Sequence, residues 1–270
     1  MSHTQAHVLA HHEAAAHMWG HGGRAYDDIS FGLSDTLAHA AQRLNAGPGD
    51  RALDVATGTG WSARNVARRG AAVTAVDISA ELLAAAAELS AHVRPPIAFQ
   101  QAEAEQLPFE DGRFDRVIST LGVIFAANQE QAAAELGRVC RRGGRLCLAT
   151  WAPEGAVADF FAVIARHADT PPPAVSPLAW GDPRHVERLL GRDFELDFEP
   201  GVNHAYHDGV ADIWAWYERG FGPLRQLVTT LPPQRAAALR ADCDAYHRHY
   251  EAPLGLHVRR EYLLVRGTRR

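Results

Sequence analysis

Leu53-Asp54-Val55-Ala56-Thr57-Gly58-Thr59-Gly60, followed by Trp61-Ser62-Ala63, decides the fold of this 270-residue chain. A short apolar run, Arg51 to Ala56, ends in a glycine turn that leads straight into a helical pattern from about Trp61 to Arg69. A strand that turns directly into a helix leaves free backbone N–H groups at the helix start. Glycines there let the backbone approach a ligand with no Cβ in the way. Gly58-Thr59-Gly60-Trp61-Ser62-Ala63 also matches the G-x-G-x-x-A form of dinucleotide-binding turns, so the glycines leave two cofactor classes open.

Charge separates the two. A dinucleotide would bring an anionic pyrophosphate to this turn, where Asp54 would repel it. A second acid, Asp77, ends a second apolar strand, Ala72 to Val76, where a ribose diol would accept a carboxylate partner. A third, Glu103, follows a third strand, Ile97 to Gln100, and can take an adenine amino group. Asp54 or Glu103 alone also reads as an ordinary helix-start cap, whereas a carboxylate such as Asp77 at the end of the second strand has few structural duties. Their register at successive strand ends makes them a set, because ligands of such sheets bind outside the carboxyl ends of the strands. Three acids suit a ligand carrying a sulfonium and an ammonium.

Strands and helices alternate onward from the turn. Ser79 caps an alanine-rich helix reaching about His92, Phe114 to Thr120 is a fourth strand, and Gln129 to Cys140 is helical. Gly143-Gly144 turns the chain into a fifth strand, Arg145 to Trp151. Such alternation implies right-handed crossovers and a parallel sheet covered on both faces. Upstream lie two helices, His3 to Trp19 and Asp35 to Leu44, the second capped by Ser34. Downstream come helices at Ala156 to His167 and Pro183 to Leu190, separated by the proline run Pro171-Pro172-Pro173, and then a strand, Phe194 to Phe198. Two helices follow Asp208, one with Trp214, Trp216 and Tyr217, the other with Leu239, Cys243, Tyr246 and Tyr250 at helical spacing; Tyr262 to Arg266 is the last strand.

The expected fold is α/β: a Rossmann-like, doubly wound, mostly parallel seven-stranded sheet with helices on both faces and a helical lid insertion. The expected division is a helical lid at 1–44, a cofactor-binding core at 45–151, a substrate-binding lid segment with a late strand at 152–258, and a final strand and tail at 259–270.

Four segments resemble the class I S-adenosylmethionine-dependent methyltransferases. Leu53 to Gly60 is similar to their first motif and Ala75-Val76-Asp77-Ile78-Ser79 to their second-strand acid. Ala104-Glu105-Gln106-Leu107-Pro108-Phe109 with Glu110 to Asp115 resembles the quinone and sterol methyltransferase branch, as does Arg138 to Leu146. The resemblance spans roughly Arg24 to Trp151. It implies S-adenosylmethionine as cofactor and S-adenosylhomocysteine as its product. It places Gly58 and Gly60 under the methionine part, with Asp54 facing the ammonium and Ala56 and Thr57 also among the cofactor-binding residues. It gives Asp77 the ribose hydroxyls, sets Ile78 against adenine, and has Glu103 and Ala104 hold the adenine edge. Thr120 and Leu121 line the methyl-donor side. Ala56 departs from the family, which usually has glycine or another small residue there.

Composition narrows the partners. The net charge is −5 and every basic residue is arginine. A broad nucleic-acid grip needs a basic surface, and without lysine there is no Schiff-base chemistry and no P-loop lysine. No apolar run approaches the roughly 20 residues of a membrane helix. Met1-Ser2-His3-Thr4-Gln5 is neither basic nor apolar, so a cytoplasmic location is expected, with no membrane or nucleic-acid partner. Cys140, Cys147 and Cys243 form no C-x-x-C pair and read as small buried hydrophobes. His3, His7 and His11 share a helix face but read as a solvated face, so no metal is expected. Arg68-Arg69 and Arg259-Arg260 read as surface charge.

The acceptor is a small molecule by elimination. Ser119-Thr120-Leu121-Gly122 lacks the Pro-Pro-aromatic run of amino-group methyltransferases, and the acid and lysine of the metal-dependent catechol enzymes are missing. Leu148-Ala149-Thr150-Trp151 departs from the quinone enzymes. The acceptor site is expected from the N-terminal helix, the loop after Thr120 and the segment Pro171 to Pro253, where Trp151, Trp180, Trp214, Trp216, Tyr206 and Tyr217 concentrate aromatic surface nearby. A general base is needed only for a hydroxyl or protonated amine. His204, Tyr206, His207 and Tyr26 are the candidates. The alternatives are a nicotinamide-dependent oxidoreductase and a non-catalytic S-adenosylmethionine-binding module. The oligomeric state, monomer or homodimer, is left open.

Overall fold

A computed structural model describes Val8 and residues 12–270. The amino-terminal half runs α1 (Glu13–Gly20), α2 (Tyr26–Phe31), α3 (Ser34–Leu44), β1 (Arg51–Val55), α4 (Trp61–Ala67), β2 (Ala72–Asp77), α5 (Ala80–Leu89), β3 (Ala98–Gln101), β4 (Phe114–Thr120) and α6 (Gln129–Val139). The remainder runs β5 (Cys140–Trp151), α7 (Ala156–Ala165), α8 (Pro183–Leu190), β6 (Phe194–His207), α9 (Val210–Gly220), α10 (Gly222–Thr230), α11 (Pro233–Arg248), β7 (Glu251–Ala252) and β8 (Gly255–Arg269).

One sheet in the order β3-β2-β1-β4-β5-β8-β6 forms the centre, with the two-residue β7 paired to β8. Strands β1 to β5 are mutually parallel, and β8 runs antiparallel between β5 and β6. This is the Rossmann-like sheet expected, with one added short strand. The chain moves outward from β1 to β3 and then returns to β4 beside β1. That reversal opens a crevice at the carboxyl ends of β1 and β4. Ala52, Leu53 and Val55 on β1 and Val117 and Ile118 on β4 are fully buried, as befits strands covered on both faces.

Local chemistry sets several boundaries. The Ser79 hydroxyl accepts from Leu82 N at 3.2 Å and starts α5, and Asn128 accepts from Gln131 N at 3.0 Å at the start of α6. Ser34, by contrast, is the first residue of its helix; Leu33 holds the cap position without a side-chain bond.

Four expectations need correction. Gly143-Gly144 is a bulge within β5, where pairing to β4 passes from Phe114↔Cys140 to Arg116↔Arg145 and Gly143 takes a φ of 69°. The strand expected at 194–198 extends to His207, paired throughout with β8. Glu199-Pro200-Gly201 resembles a stop, but β6 is the sheet edge, where a proline is tolerated. Gly201 lies under Tyr262, whose ring would be 2.2 Å from any Cβ there. The last strand begins at Gly255 rather than Tyr262, and three helices follow Asp208 rather than two, because Phe221 and Leu231-Pro232 interrupt the pattern. His3, His7 and His11 lie outside the described residues, as does the start of the first expected helix. Cys140, Cys147 and Cys243 are buried and free, and burial pushes the Cys147 and Cys243 thiols up to about 12.

Candidate functional site

The turn after β1 is held by its neighbours' backbone and by two acids. Thr57 N donates to Val76 O at 2.9 Å. Gly58 N donates to Asp77 Oδ2 at 2.7 Å, and Ser79 N donates to Asp77 Oδ1 at 2.9 Å. One carboxylate thus ties the β1 turn to the β2 turn. Burial raises the Asp77 pKa against the pull of these N–H groups. Ala56, Gly58 and Gly60 all take positive φ, at 57°, 57° and 84°. Alanine is strained there, which gives a physical reason for the family's small residue. Room for the Ala56 side chain is found at Gly122, where a Cβ would sit 2.5 Å from Ala56 Cβ and 2.7 Å from Ala56 O.

A cavity of about 180 Å³ lies over these strand ends. Ala56, Thr57 and Gly58 form its floor, Asp77 and Ile78 one wall, and Glu103 and Ala104 another. Thr120 and Leu121 also line it. Asp54 and Gly60 do not line it. Asp54 is fully buried behind the turn, where the Thr57 hydroxyl donates to Oδ2 at 2.6 Å and burial pushes the carboxyl up to about 7. The charged lining comprises Asp77, Glu103 and Glu105 with the titratable His12, and no arginine of the described residues reaches it. This charge fits a cationic adenosine ligand and opposes a pyrophosphate.

Sequence reasoning missed what α1 and α2 bring. His12 Nδ1 meets Glu103 Oε2 at 2.6 Å, so the wall expected to read adenine also anchors the amino-terminal helix. On α2, Asp27 accepts from Arg64 Nη2 at 3.0 Å, while Arg64 Nη1 donates to Thr59 O at 2.6 Å. That buried arginine latches α2 to the glycine turn. Tyr26, an expected candidate, is brought to the cavity: a Cβ on Gly58 would lie 3.3 Å from its ring. Burial, and then the nearby Asp77 carboxylate, keep its phenol protonated well above the usual range.

Beyond Tyr26 lies a second, aromatic chamber of about 70 Å³. Trp19, Tyr26, Leu33, Leu121 and Phe125 line both spaces. Trp151, Trp216 and Tyr217 join this wall, whereas Trp180 and Trp214 pack into the core and Tyr206 is 70% exposed. Phe160 stacks on Tyr217 with centroids 4.7 Å apart and lies 5.2 Å from the His247 ring.

The other three base candidates lie elsewhere. On β6, Ala205 faces the chamber, so its neighbours His204 and Tyr206 face away. Both pack with His257 of β8, at ring separations of 5.1 and 4.6 Å. His207 packs on Trp216 and meets Asp212 at 3.0 Å, outside either cavity. The imidazole in the chamber is His247, 3% exposed. Its Nδ1–H donates to Cys243 O at 2.7 Å, which leaves the Nε2 lone pair as its basic site. Burial lowers its pKa to about 4. The i, i+4 spacing of Cys243 and His247 on α11 is the signal for it, beside the stripe of Leu239, Cys243, Tyr246 and Tyr250. Arg260 also lines the chamber, 6% exposed, and so corrects the reading of Arg259-Arg260 as surface charge. Strand alternation turns Arg259 outward and Arg260 inward.

Residues 53–148 match a family model described as a methyltransferase domain. An uncharacterized protein of Mycobacterium tuberculosis is 42% identical over 208 residues, covering 75% of this chain and 76% of its own. The chain belongs to the class I S-adenosylmethionine-dependent methyltransferases. The demethylmenaquinone methyltransferase of Beutenbergia cavernae is 36% identical to this methyltransferase over 141 residues, half of this chain and 57% of that protein, which fits the quinone-methyltransferase-like branch. The YcgJ protein of Bacillus subtilis shares the fold, with a TM-score of 0.63 at 19% identity over 87% of this chain and 98% of that one. The enzyme uses S-adenosylmethionine. Among the described residues, no helix is long and apolar enough to cross a membrane, and no group of three or more His, Cys, Asp or Glu is placed to hold a metal ion.

Proposed function

We propose that this methyltransferase moves the methyl group of S-adenosylmethionine onto a small, largely apolar, ring-bearing acceptor held in the aromatic chamber. The observation that carries this reading is the shared boundary of the two cavities at Trp19, Tyr26, Leu33, Leu121 and Phe125. A donor over the strand ends and an acceptor among the aromatics would meet across it.

S-adenosylmethionine supplies an electrophilic methyl on a sulfonium, and the protein's residues do the holding and aligning. Asp77 is poised for the ribose hydroxyls, since a carboxylate oxygen holding one N–H keeps acceptor capacity. Ile78 packs the adenine face, and Glu103 and Ala104 take its edge, with Glu103 shared with His12. Ala56, Thr57 and Gly58 lie beneath the methionine part; Gly60 shapes the turn, and Asp54 acts from behind it through Thr57. Thr120 and Leu121 border the methyl. Alignment for in-line displacement can supply on the order of 7–11 kcal/mol, and the apolar walls favour a transition state in which charge disperses.

Where the acceptor atom is a hydroxyl, His247 Nε2 is the proton acceptor. Its low pKa restricts that task to a hydroxyl that acidifies as the C–O bond forms. In this reading residues 1–44 and 152–258 provide the lid and acceptor site over the core at 45–151, and 259–270 contributes the end of β8. Calorimetry tests the donor half: S-adenosylhomocysteine is expected to bind in the micromolar range, and Asp77→Ala to abolish it. Turnover of a panel of ring-bearing phenols, followed by mass spectrometry, tests the acceptor half. Donor binding with no methylated phenol would overturn the acceptor assignment.

A further inference from the structure

The aromatic chamber contains one charge that the proposed reaction does not use. Arg260 of β8 is 6% exposed, and its neighbours in the chamber are rings and aliphatic side chains. Its Nη2 donates to Gly32 O at 2.6 Å, and the Tyr217 phenol lies beside the guanidinium. The Nε–H is buried without a hydrogen-bond partner, and among the described residues no carboxylate comes within 4.0 Å of the guanidinium. Asp35, the acid that acts on it from a distance, already accepts from Thr36 N and from Asn203 Nδ2. A buried guanidinium without a counter-ion is costly, and a buried N–H without an acceptor adds to the cost. The Gly32 carbonyl and the Tyr217 phenol take two of its five donors.

We infer that Arg260 is the anchor for an oxyanion on the methyl acceptor, so that the substrate class is a ring-bearing acid carrying a carboxylate or an equivalent delocalised oxyanion. This rests on the methyl-transfer reading given above. Arg260 lines the chamber but not the donor cavity, so the group it anchors is not the one that meets the donor. The atom methylated is therefore a different one. A planar fork suits a carboxylate, and the aromatic walls around Tyr217 and Phe160 suit the ring that carries it.

The test uses the full chain and calorimetry with one- and two-ring aromatic carboxylates, benzoate and 2-naphthoate, each beside its uncharged carboxamide. S-adenosylhomocysteine is titrated first. Its failure to bind would overturn the methyl-transfer reading itself. With it bound, at least one acid is expected to bind about tenfold or more tighter than its amide. Arg260→Gln is expected to remove that preference while S-adenosylhomocysteine affinity stays within about threefold, and Arg260→Lys to retain part of it. A purely structural role at Gly32 would lower the melting temperature of Arg260→Gln without touching the acid-to-amide ratio. Equal binding of acids and amides to the native chain, or no binding of either acid, overturns the proposal without any variant. A preference surviving in folded Arg260→Gln does so as well.

Discussion

The donor cavity takes its strand-side lining from four short segments at or just past strand ends, at 56–58, 77–78, 102–105 and 120–122. The aromatic chamber draws on α1, α2, the loop after β4, the end of β5, α7, β6, α9, α11 and β8. The first region is set by where parallel strands end, and every polar group in it sits close in sequence to a glycine, an acid or a strand terminus. The second is a meeting of helix and strand faces, where His247, Arg260 and a few phenols stand among apolar side chains. Two regions that share a wall therefore answer to different physics: backbone geometry and charge in one, burial of rings around single polar side chains in the other.

A crossed pair of substitutions separates them most sharply. Phe160→Ala empties a buried ring position and is expected to cost about 3–5 kcal/mol of stability, with S-adenosylhomocysteine affinity within about threefold of the native value. Asp77→Ala is expected to abolish that binding. Denaturant unfolding and calorimetry measure both. Equal losses of affinity in the two variants would break the distinction.

Acid titration gives the next effect. His247 has a folded pKa of about 4, below the unfolded value of roughly 6.5. A depressed pKa stabilises the fold above the unfolded value, and that stability is lost as pH falls through the folded one. Between these limits the group accounts for about 3 kcal/mol. The melting temperature of His247→Gln should accordingly depend less on pH from roughly 6.5 down to about 4 than that of the native chain. Parallel profiles for the two would remove His247 from the interior.

Two smaller effects sharpen the donor side. Gly122→Ala places a Cβ 2.5 Å from Ala56 Cβ and is expected to destabilise by about 1–3 kcal/mol. Ala56→Gly relieves a left-handed alanine and is expected to stabilise by about 0.5 kcal/mol. If Gly122→Ala is neutral in thermal melts, the close packing between the β1 and β4 turns is not what holds the crevice.

The same contrast explains what the sequence revealed. Strand–helix alternation, the glycine turn and the acid register are local, so β1 to β5 and the walls built by Asp77, Glu103 and Thr120 could be read directly. Asp54 shows the limit: its place before the glycines was legible, but not that the turn would fold over it and leave Thr57 between it and the cavity. His204, Tyr206 and His207 were reasonable as titratable groups near aromatics. They lie outside the chamber because Ala205 takes the inward position on β6, a choice set by pairing with β8 rather than by local composition. Arg260 was hidden by the same alternation, since Arg259-Arg260 looks like one charged surface patch until β8 is known to extend back to Gly255. Pro200-Gly201 masked the length of β6, because only its position at the sheet edge and the Tyr262 ring over Gly201 make the pair compatible with a strand.

The structure of the complex with S-adenosylhomocysteine tests the central claim most directly. The expected result places the ribose hydroxyls on Asp77 and the thioether sulfur beside Thr120 and Leu121, facing Tyr26 and the aromatic chamber. A ligand bound with its sulfur turned away from Leu121 and Tyr26, so that no line from it enters the chamber, would contradict the two-chamber account.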